Sequence, residues 1–481
     1  MASVKKDIAS GVFWIAIAKY SGIVLQLLIT AILARLIAPA AFGAIAIAMV
    51  VLHFLNILAD IGIGPAVVQY FQLSKSHLNS LFTLTIYIGV VLTLALYLLA
   101  GAIAGYYADA TLTNVCRLMS LVVLFQSLNV VPNALMRKYK RFRSIALRTL
   151  FLQIVSGGIA VLVAYRGWGI YALLVSPILT AIGLFSLNYY SFPLQYVFRM
   201  SNEAVKMVAS FSFFQFAYSF CNYFSRNLDK LIIGKYFSMT QLGYYDKSYH
   251  LMMLPLQNVS FVIEPVLHPV LSTLQDNKHE LKEKNQKMAV LISNISFPIG
   301  LILFFCGGEL IKIVYGGQWD AAIPVFRILA LSLPLQMILS TSAPIYQSAG
   351  KTNHMFIVGL LNTFCTVSGF FVGALWGRSI EAMAWAWDIT LVINFMNSYF
   401  ILHVFTLNES VWPFYKALLP QCLNILVVFF VTLLVSQLLG DDVFLNLIIK
   451  SLTVIFVTIL VAKLLCQYDM KDVVSCIMQR I

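Results

Sequence analysis

The stretch Arg35-Leu-Ile-Ala-Pro-Ala-Ala-Phe-Gly43 has a counterpart 200 residues further on, Lys235-Tyr-Phe-Ser-Met-Thr-Gln-Leu-Gly243. In both, a cation stands eight residues before a glycine that follows a large apolar residue. The same offset aligns Phe13-Trp14 with Phe213-Phe214, and Ile61-Gly-Ile-Gly-Pro65 with Phe261-Val-Ile-Glu-Pro265. At an offset of 210, Arg117-Leu118 falls on Arg327-Ile328, and Gly167-Trp-Gly-Ile170 on Gly377-Arg-Ser-Ile380. The chain is therefore an internal duplication, a plan on which many membrane transporters build an alternately accessible site.

What is duplicated is a membrane bundle. The chain is 60% hydrophobic and only 11% charged, where soluble domains carry roughly 25% charged residues. Apolar runs of about 20 residues recur along its length, each long enough to cross a hydrocarbon core about 30 Å thick. Backbone polar groups in lipid must be satisfied internally, and the period-2 alternation of a barrel is absent, so the spans are helical. The sequence predicts an all-α polytopic protein with fourteen spans, at 11–34, 43–66, 81–104, 115–136, 146–165, 168–190, 207–234, 241–268, 288–306, 321–346, 353–376, 380–404, 416–438 and 443–465. Pro324, Pro334 and Pro344 interrupt the tenth, and Pro65, Pro177 and Pro265 are further kink positions.

Six spans separate matching points of the repeat, and an even number preserves direction, so the two halves run parallel. This gives an N-lobe at 1–190, an amphipathic cytoplasmic linker at 191–206, a C-lobe at 207–404, and accessory helices 13 and 14 with a tail at 405–481. The accessory pair is nearly pure Leu, Val, Ile and Phe and reads as lipid-facing. With the N-terminus inside, most of the 32 Lys and Arg fall on cytoplasmic segments, the densest at Arg137–Arg143 with Arg148 and at Lys278–Lys287. That positive-inside bias puts both termini in the cytoplasm. The net charge of +13 is then a topology signal with a secondary attraction to anionic lipid, and not a nucleic-acid footprint. The Lys5-Lys6 pair precedes an apolar run too long for a signal peptide, so helix 1 is expected to be retained. Seven scattered cysteines show no ligand spacing and read as packing residues.

Ionisable residues inside spans cost about 2.5–3.5 kcal/mol each on insertion scales and so point to function. They concentrate in the repeat-equivalent helices 1, 2, 7 and 8: Lys19; His53 and Asp60; Arg226, Asp229 and Lys230; Asp246, Lys247, His250, Glu264 and His268. Helix 12 adds Asp388. A partly cationic cavity could be lined by Lys19, Arg226, Asp229 and Lys230. Each also has a structural alternative: Lys19 can snorkel to the headgroups, and Arg226 and Lys230 can pair with Asp229. Asp60, Glu264, His53 and His250 are candidates for gating or ion coupling, histidine because it titrates near neutral pH. Asp246-Lys247 is placed at the outer headgroups. The aromatics crowding helix 7, from Phe211 to Phe224, suit packing better than carbohydrate stacking. No nucleophile–base pair, metal cluster or cofactor motif is present, and no exterior loop is large enough to mount a catalytic domain.

Several stretches together resemble a known family. Asn227-Leu-Asp-Lys-Leu-Ile-Ile-Gly-Lys-Tyr-Phe237, Leu242-Gly-Tyr-Tyr245, Pro255 and Glu264-Pro-Val-Leu-His-Pro-Val-Leu-Ser272 resemble the Wzx-type polysaccharide exporters, as do Ala34-Arg-Leu-Ile-Ala-Pro39, Asp60–Pro65 and Tyr315-Gly-Gly-Gln-Trp319. The similarity extends over essentially the whole chain and leans to the WzxC-like branch. It implies the multidrug/oligosaccharidyl-lipid/polysaccharide exporter superfamily: V-shaped, two-lobed, MATE-like transporters with an alternating-access cavity. The implied substrate is an undecaprenyl-diphosphate-linked oligosaccharide repeat unit, flipped from the cytoplasmic to the periplasmic leaflet of the bacterial inner membrane. Implied partners are the lipid bilayer, a glycan polymerase and export machinery; no nucleic acid is implied. By the same resemblance Lys19 matches a diphosphate-holding cation, faced by Arg226 or Lys230. Helices 1 and 2 depart from the lipid II flippases in lacking several arginines. A multidrug exporter, or a membrane-embedded polymerase or ligase, is the alternative reading.

Overall fold

The structure, a computed structural model, describes residues 2–70, 72–198, 223, 226–272 and 277–465, with side chains omitted at 2–13, 15, 16, 18, 259–270, 272, 352 and 465. Every element among the described residues is helical. By Cα proximity the chain divides into unit 1, Met1–Gly243, and unit 2, Tyr244–Ile481.

Unit 1 comprises α1 (Ala2–Leu36), α2 (Pro39–Asp60), α3 (Ile63–Gln69), α4 (Lys75–Tyr107), α5 (Thr111–Lys138), α6 (Phe142–Tyr165), α7 (Ile170–Ser191) and a helical stretch at 226–236. Unit 2 begins within α8 (Met239–Ser272). It continues through α9 (Lys278–Phe305), α10 (Gly307–Val314), a 3-10 turn (Gly317–Ala322), α11 (Ile323–Leu339), α12 (Ser342–Ser348) and α13 (Thr352–Val372). A π-helical segment (Gly373–Gly377), α14 (Ile380–Phe400), a second π-helical segment (Ile401–Thr406), α15 (Trp412–Gln437) and α16 (Val443–Leu465) complete it.

Twelve of these helices are long and apolar enough to cross a membrane. They correspond to the expected spans other than 207–234 and 241–268. Residues 207–222, 224 and 225 lie outside the described residues, as does most of the aromatic cluster assigned to helix 7 and the 199–206 part of the linker. The 226–236 stretch and α8 are helical within those two expected spans.

The duplication is visible in how each unit packs. In unit 1, α4 packs on α5, α5 on α7, and α6 on α7. The repeat-equivalent partners in unit 2, α9 with α11, α11 with α14, and α13 with α14, pack in the same pattern.

Two glycine positions decide local geometry. Asp60 ends α2, Ile61 and Gly62 take left-handed φ values of 38° and 76°, and α3 restarts at Ile63. The Asp60 carboxylate accepts the Gly64 N–H at 2.7 Å, capping the new helix where its N-terminal amides have no partner. In the second repeat Val262 stands where Gly62 does, and α8 runs through unbroken.

The second position is the motif Gly itself. A Cβ on Gly43 would lie 1.8 Å from the Met239 carbonyl oxygen, and one on Gly243 would lie 2.2 Å from the Pro39 carbonyl oxygen. Each repeat glycine thus sits on the backbone four residues before its twin, so the first turns of α2 and α8 cross at backbone contact, as small residues permit.

In unit 2 the proline-interrupted tenth span resolves into α11 and α12, separated by Ser340 and Thr341. Tyr315 and Trp319 of the Tyr-Gly-Gly-Gln-Trp motif are fully buried, with ring centroids 5.5 Å apart. The accessory helices depart from a purely lipid-facing reading. Lys450 of α16 is buried and donates to the equally buried Glu309 of α10, and Gln421, Asn424 and Thr432 of α15 are buried too. A lysine in an apolar run was the visible signal; its acidic partner lies 141 residues away and only the fold brings it near.

Candidate functional site

Lys19 lies on α1, half-buried, within a helix that packs along α6. On the same helical face, at i+7 and i+11, stand Gln26 and Thr30. Gln153 of α6 reaches across: its Nε2 donates to the Gly22 carbonyl at 2.9 Å and to Gln26 Oε1 at 3.2 Å, and Gln26 Nε2 lies 3.5 Å from Thr30 Oγ1. Gln26 is exposed although it belongs to an apolar span. An amide facing hydrocarbon at that depth is costly, so this stripe suits a water-accessible surface. A cation followed by amide donors is suited to hold an anionic, hydroxyl-rich group.

The candidates in the 226–236 stretch are differently disposed. Asp229 and Lys230 are buried, and Asp229 Oδ1 accepts the Lys230 backbone N–H at 2.8 Å. Arg226 is exposed. His53 on α2 is exposed, and the Lys230 charge is near enough to act on it. Tyr223 joins this region to α2 by donating its hydroxyl to the Val50 carbonyl. Lys19, His53, Asp60, Arg226, Asp229 and Lys230 all belong to unit 1.

Asp60 is engaged as the cap of α3, within electrostatic reach of Arg137. In unit 2, Asp246 is buried and lies 3.6 Å from both Lys247 Nζ and His250 Nε2, with the His250 side chain 58% exposed. Asp246 and Lys247 are therefore joined with His250 in one ion cluster. Glu264 lies outside the residues whose side chains are described.

The basic cluster between α5 and α6 fastens one end of unit 1. Lys138 Nζ donates to the Tyr70 carbonyl at 2.8 Å, Arg141 covers the Phe192 ring at 4.9 Å, and Arg143 covers the Trp14 ring at 4.9 Å. Arg148 donates to Asn188 Oδ1 at 3.0 Å and to Ser191 Oγ at 2.6 Å. Sequence reasoning passed over Gln26 and Gln153; their signal was an amide within an apolar span, but the pairing needs the α1–α6 contact. Among the described residues no group of three or more His, Cys, Asp or Glu side chains could hold a metal.

Twelve membrane-length apolar helices define a multi-pass helical membrane protein, and its fold is shared with a solved flippase structure. Superposition on lipid II flippase MurJ, in its inward closed conformation, gives a TM-score of 0.74 at 16% identity, covering 94% of this chain and 98% of that one. The family is set by sequence: residues 32–324 match the polysaccharide biosynthesis protein model, and the chain belongs to that family. It is 24% identical to teichuronic acid biosynthesis protein TuaB of Bacillus subtilis (strain 168), over 86% of each chain. It is also 24% identical to lipopolysaccharide biosynthesis protein WzxC of Escherichia coli (strain K12), over 91% of this chain and 88% of that one.

Proposed function

We propose that this protein is the exporter of a surface-polysaccharide pathway. It carries a polyprenyl-diphosphate-linked oligosaccharide, the undecaprenyl-linked repeat unit, from the cytoplasmic to the periplasmic leaflet of a bacterial inner membrane by alternating access. Both termini lie in the cytoplasm, and a glycan polymerase receives the product. The reading is carried by the near full-length similarity to relatives named for teichuronic acid and lipopolysaccharide biosynthesis.

The physical task suits the chain. A glycan headgroup cannot cross hydrocarbon, because each polar group stripped of water without a partner costs on the order of 2–7 kcal/mol. Its lipid tail can stay in the bilayer while the head passes a polar surface. Lys19 holds the diphosphate in this scheme, and the Gln26–Gln153 amides meet sugar hydroxyls, with Lys230, Asp229 and Arg226 as further contacts. An interior-negative potential favours outward movement of the anion by about 2.3 kcal/mol per charge per 100 mV. The empty carrier returns with an incoming cation.

The test is a gene deletion with complementation. Lipid-linked oligosaccharide should accumulate on the cytoplasmic leaflet and clear when the wild-type chain is restored. Normal surface glycan in a deletion strain that has no redundant exporter overturns the assignment.

A further inference from the structure

Asp388 stands in the third turn of α14, which packs on α11 and α13. The residue is 8% exposed, and both carboxylate oxygens are buried without a hydrogen-bond partner among the described residues. The donors nearest along the helix are committed elsewhere. Trp387 Nε1 donates to Ser332 Oγ at 3.3 Å, Thr390 Oγ1 to the Trp387 carbonyl at 3.0 Å, and Asn394 Nδ2 to Thr366 Oγ1 at 2.9 Å.

The titratable groups on α14 and the elements packed against it are Glu381 and Tyr399 on α14, His403 in the π-helical segment that follows, Arg327 on α11, and His354 and Cys365 on α13; α8, whose Tyr249 ring meets Trp387, also carries Asp246, Lys247 and His250. None of these donates a hydrogen bond to the Asp388 carboxyl. An ionised carboxylate here would be buried within a span with no donor to stabilise it.

One proton removes that penalty. A divalent cation is a poor alternative, since hard cations need several oxygen ligands and no further carboxylate converges here. The neutral acid is stable only while the site stays dry; a conformation that wets the carboxyl stabilises its ionised form instead. Proton affinity and conformation are then linked, so the proton favours the dry state and its release favours the wet one.

We propose that Asp388 is a proton-binding site, neutral in the conformation described and ionised when wetted, and that its proton is the one coupled to transport. The coupling half rests on the exporter reading above; the site itself does not.

The full chain in lipid nanodiscs is titrated by infrared difference spectroscopy and compared with Asp388→Asn, an isosteric neutral variant, and Asp388→Glu. The wild type should show at pH 7 a neutral-carboxyl band that Asp388→Asn lacks and Asp388→Glu retains. Superimposable wild-type and Asp388→Asn spectra overturn the site. In vesicles, movement of a synthetic polyprenyl diphosphate bearing a short oligosaccharide should accelerate under an imposed pH gradient. Asp388→Asn should show one rate with and without the gradient; a preserved response overturns the coupling. A wild type that shows the band but never moves the probe refutes the exporter reading and leaves the proton site standing.

Discussion

Replacing Gly43 by alanine should unseat the crossing of α2 and α8. The added Cβ would lie 1.8 Å from the Met239 carbonyl oxygen and 2.7 Å from its carbonyl carbon, where ordinary contact begins at 3.4 Å. The shortfall is about 1.6 Å, and the atoms in the way are backbone, so no side-chain rotation relieves it. Overpacking of a tight interior costs about 1–3 kcal/mol, and rigid neighbours put this site at the upper end. A loss of about 3 kcal/mol lowers the folded-to-unfolded ratio by roughly a hundredfold. Gly243→Ala should cost nearly as much, because its Cβ would lie 2.2 Å from the Pro39 carbonyl oxygen. Combining the two should cost less than the sum of the singles, since separating the helices once relieves both clashes. The assay is the half-life of monodisperse purified protein in detergent on heating, a rate being the appropriate measure for irreversible unfolding. Gly101→Ala is the control, as nothing lies within 4 Å of the added methyl group. Gly43→Ala indistinguishable from Gly101→Ala would refute the close crossing.

Further outcomes are expected elsewhere in the molecule. Glu309→Gln leaves the buried Lys450 ammonium without its counter-charge and should cost about 3–5 kcal/mol, while Glu309→Gln with Lys450→Met should recover most of that loss; thermal inactivation of the three proteins compares them. The Lys282 and His279 hydrogen bonds hold the Glu409 carboxyl below its ordinary value of 4.5. Its stabilising contribution is therefore complete above pH 4.5 and lost as pH falls through the depressed value. The gap in inactivation rate between wild type and Glu409→Gln should be smaller at pH 4 than at pH 7; an equal gap at both pH values rules the contribution out. Arg148→Met, which leaves Asn188 and Ser191 without the guanidinium, should cost about 1–3 kcal/mol by the same assay. Lys19→Ala should impair glycan export at unchanged membrane abundance, read by surface glycan against immunoblot; full export removes Lys19 from the substrate site.

Much of the architecture was legible in composition and period. Apolar run length set the spans, and the Arg35–Gly43 and Lys235–Gly243 match announced the duplication, because both depend only on local chain properties. The same pattern could not reveal that the two glycines touch, since contact across 200 residues is a property of the folded chain. Asp60 shows the converse limit: an acid near a helix end does not announce that its carboxylate caps α3, which the fold alone reveals. Lys450 lies in a run that reads as lipid-facing and is neutralised by Glu309, a partner no spacing rule connects to it.

The sequence by itself determined that this is a helical, duplicated membrane protein of the polysaccharide biosynthesis family. Hydrophobicity and repetition are additive along the chain and survive without coordinates. Only the tertiary structure decided which polar side chains are spent on each other. It engages Arg148, Asp246 and Glu309, joins Gln26 to Gln153, and leaves the Asp388 carboxyl unpartnered among the described residues. Burial and hydrogen-bond partnership arise between elements distant in sequence, so the chemistry of a membrane-embedded charge is fixed by its neighbours in space.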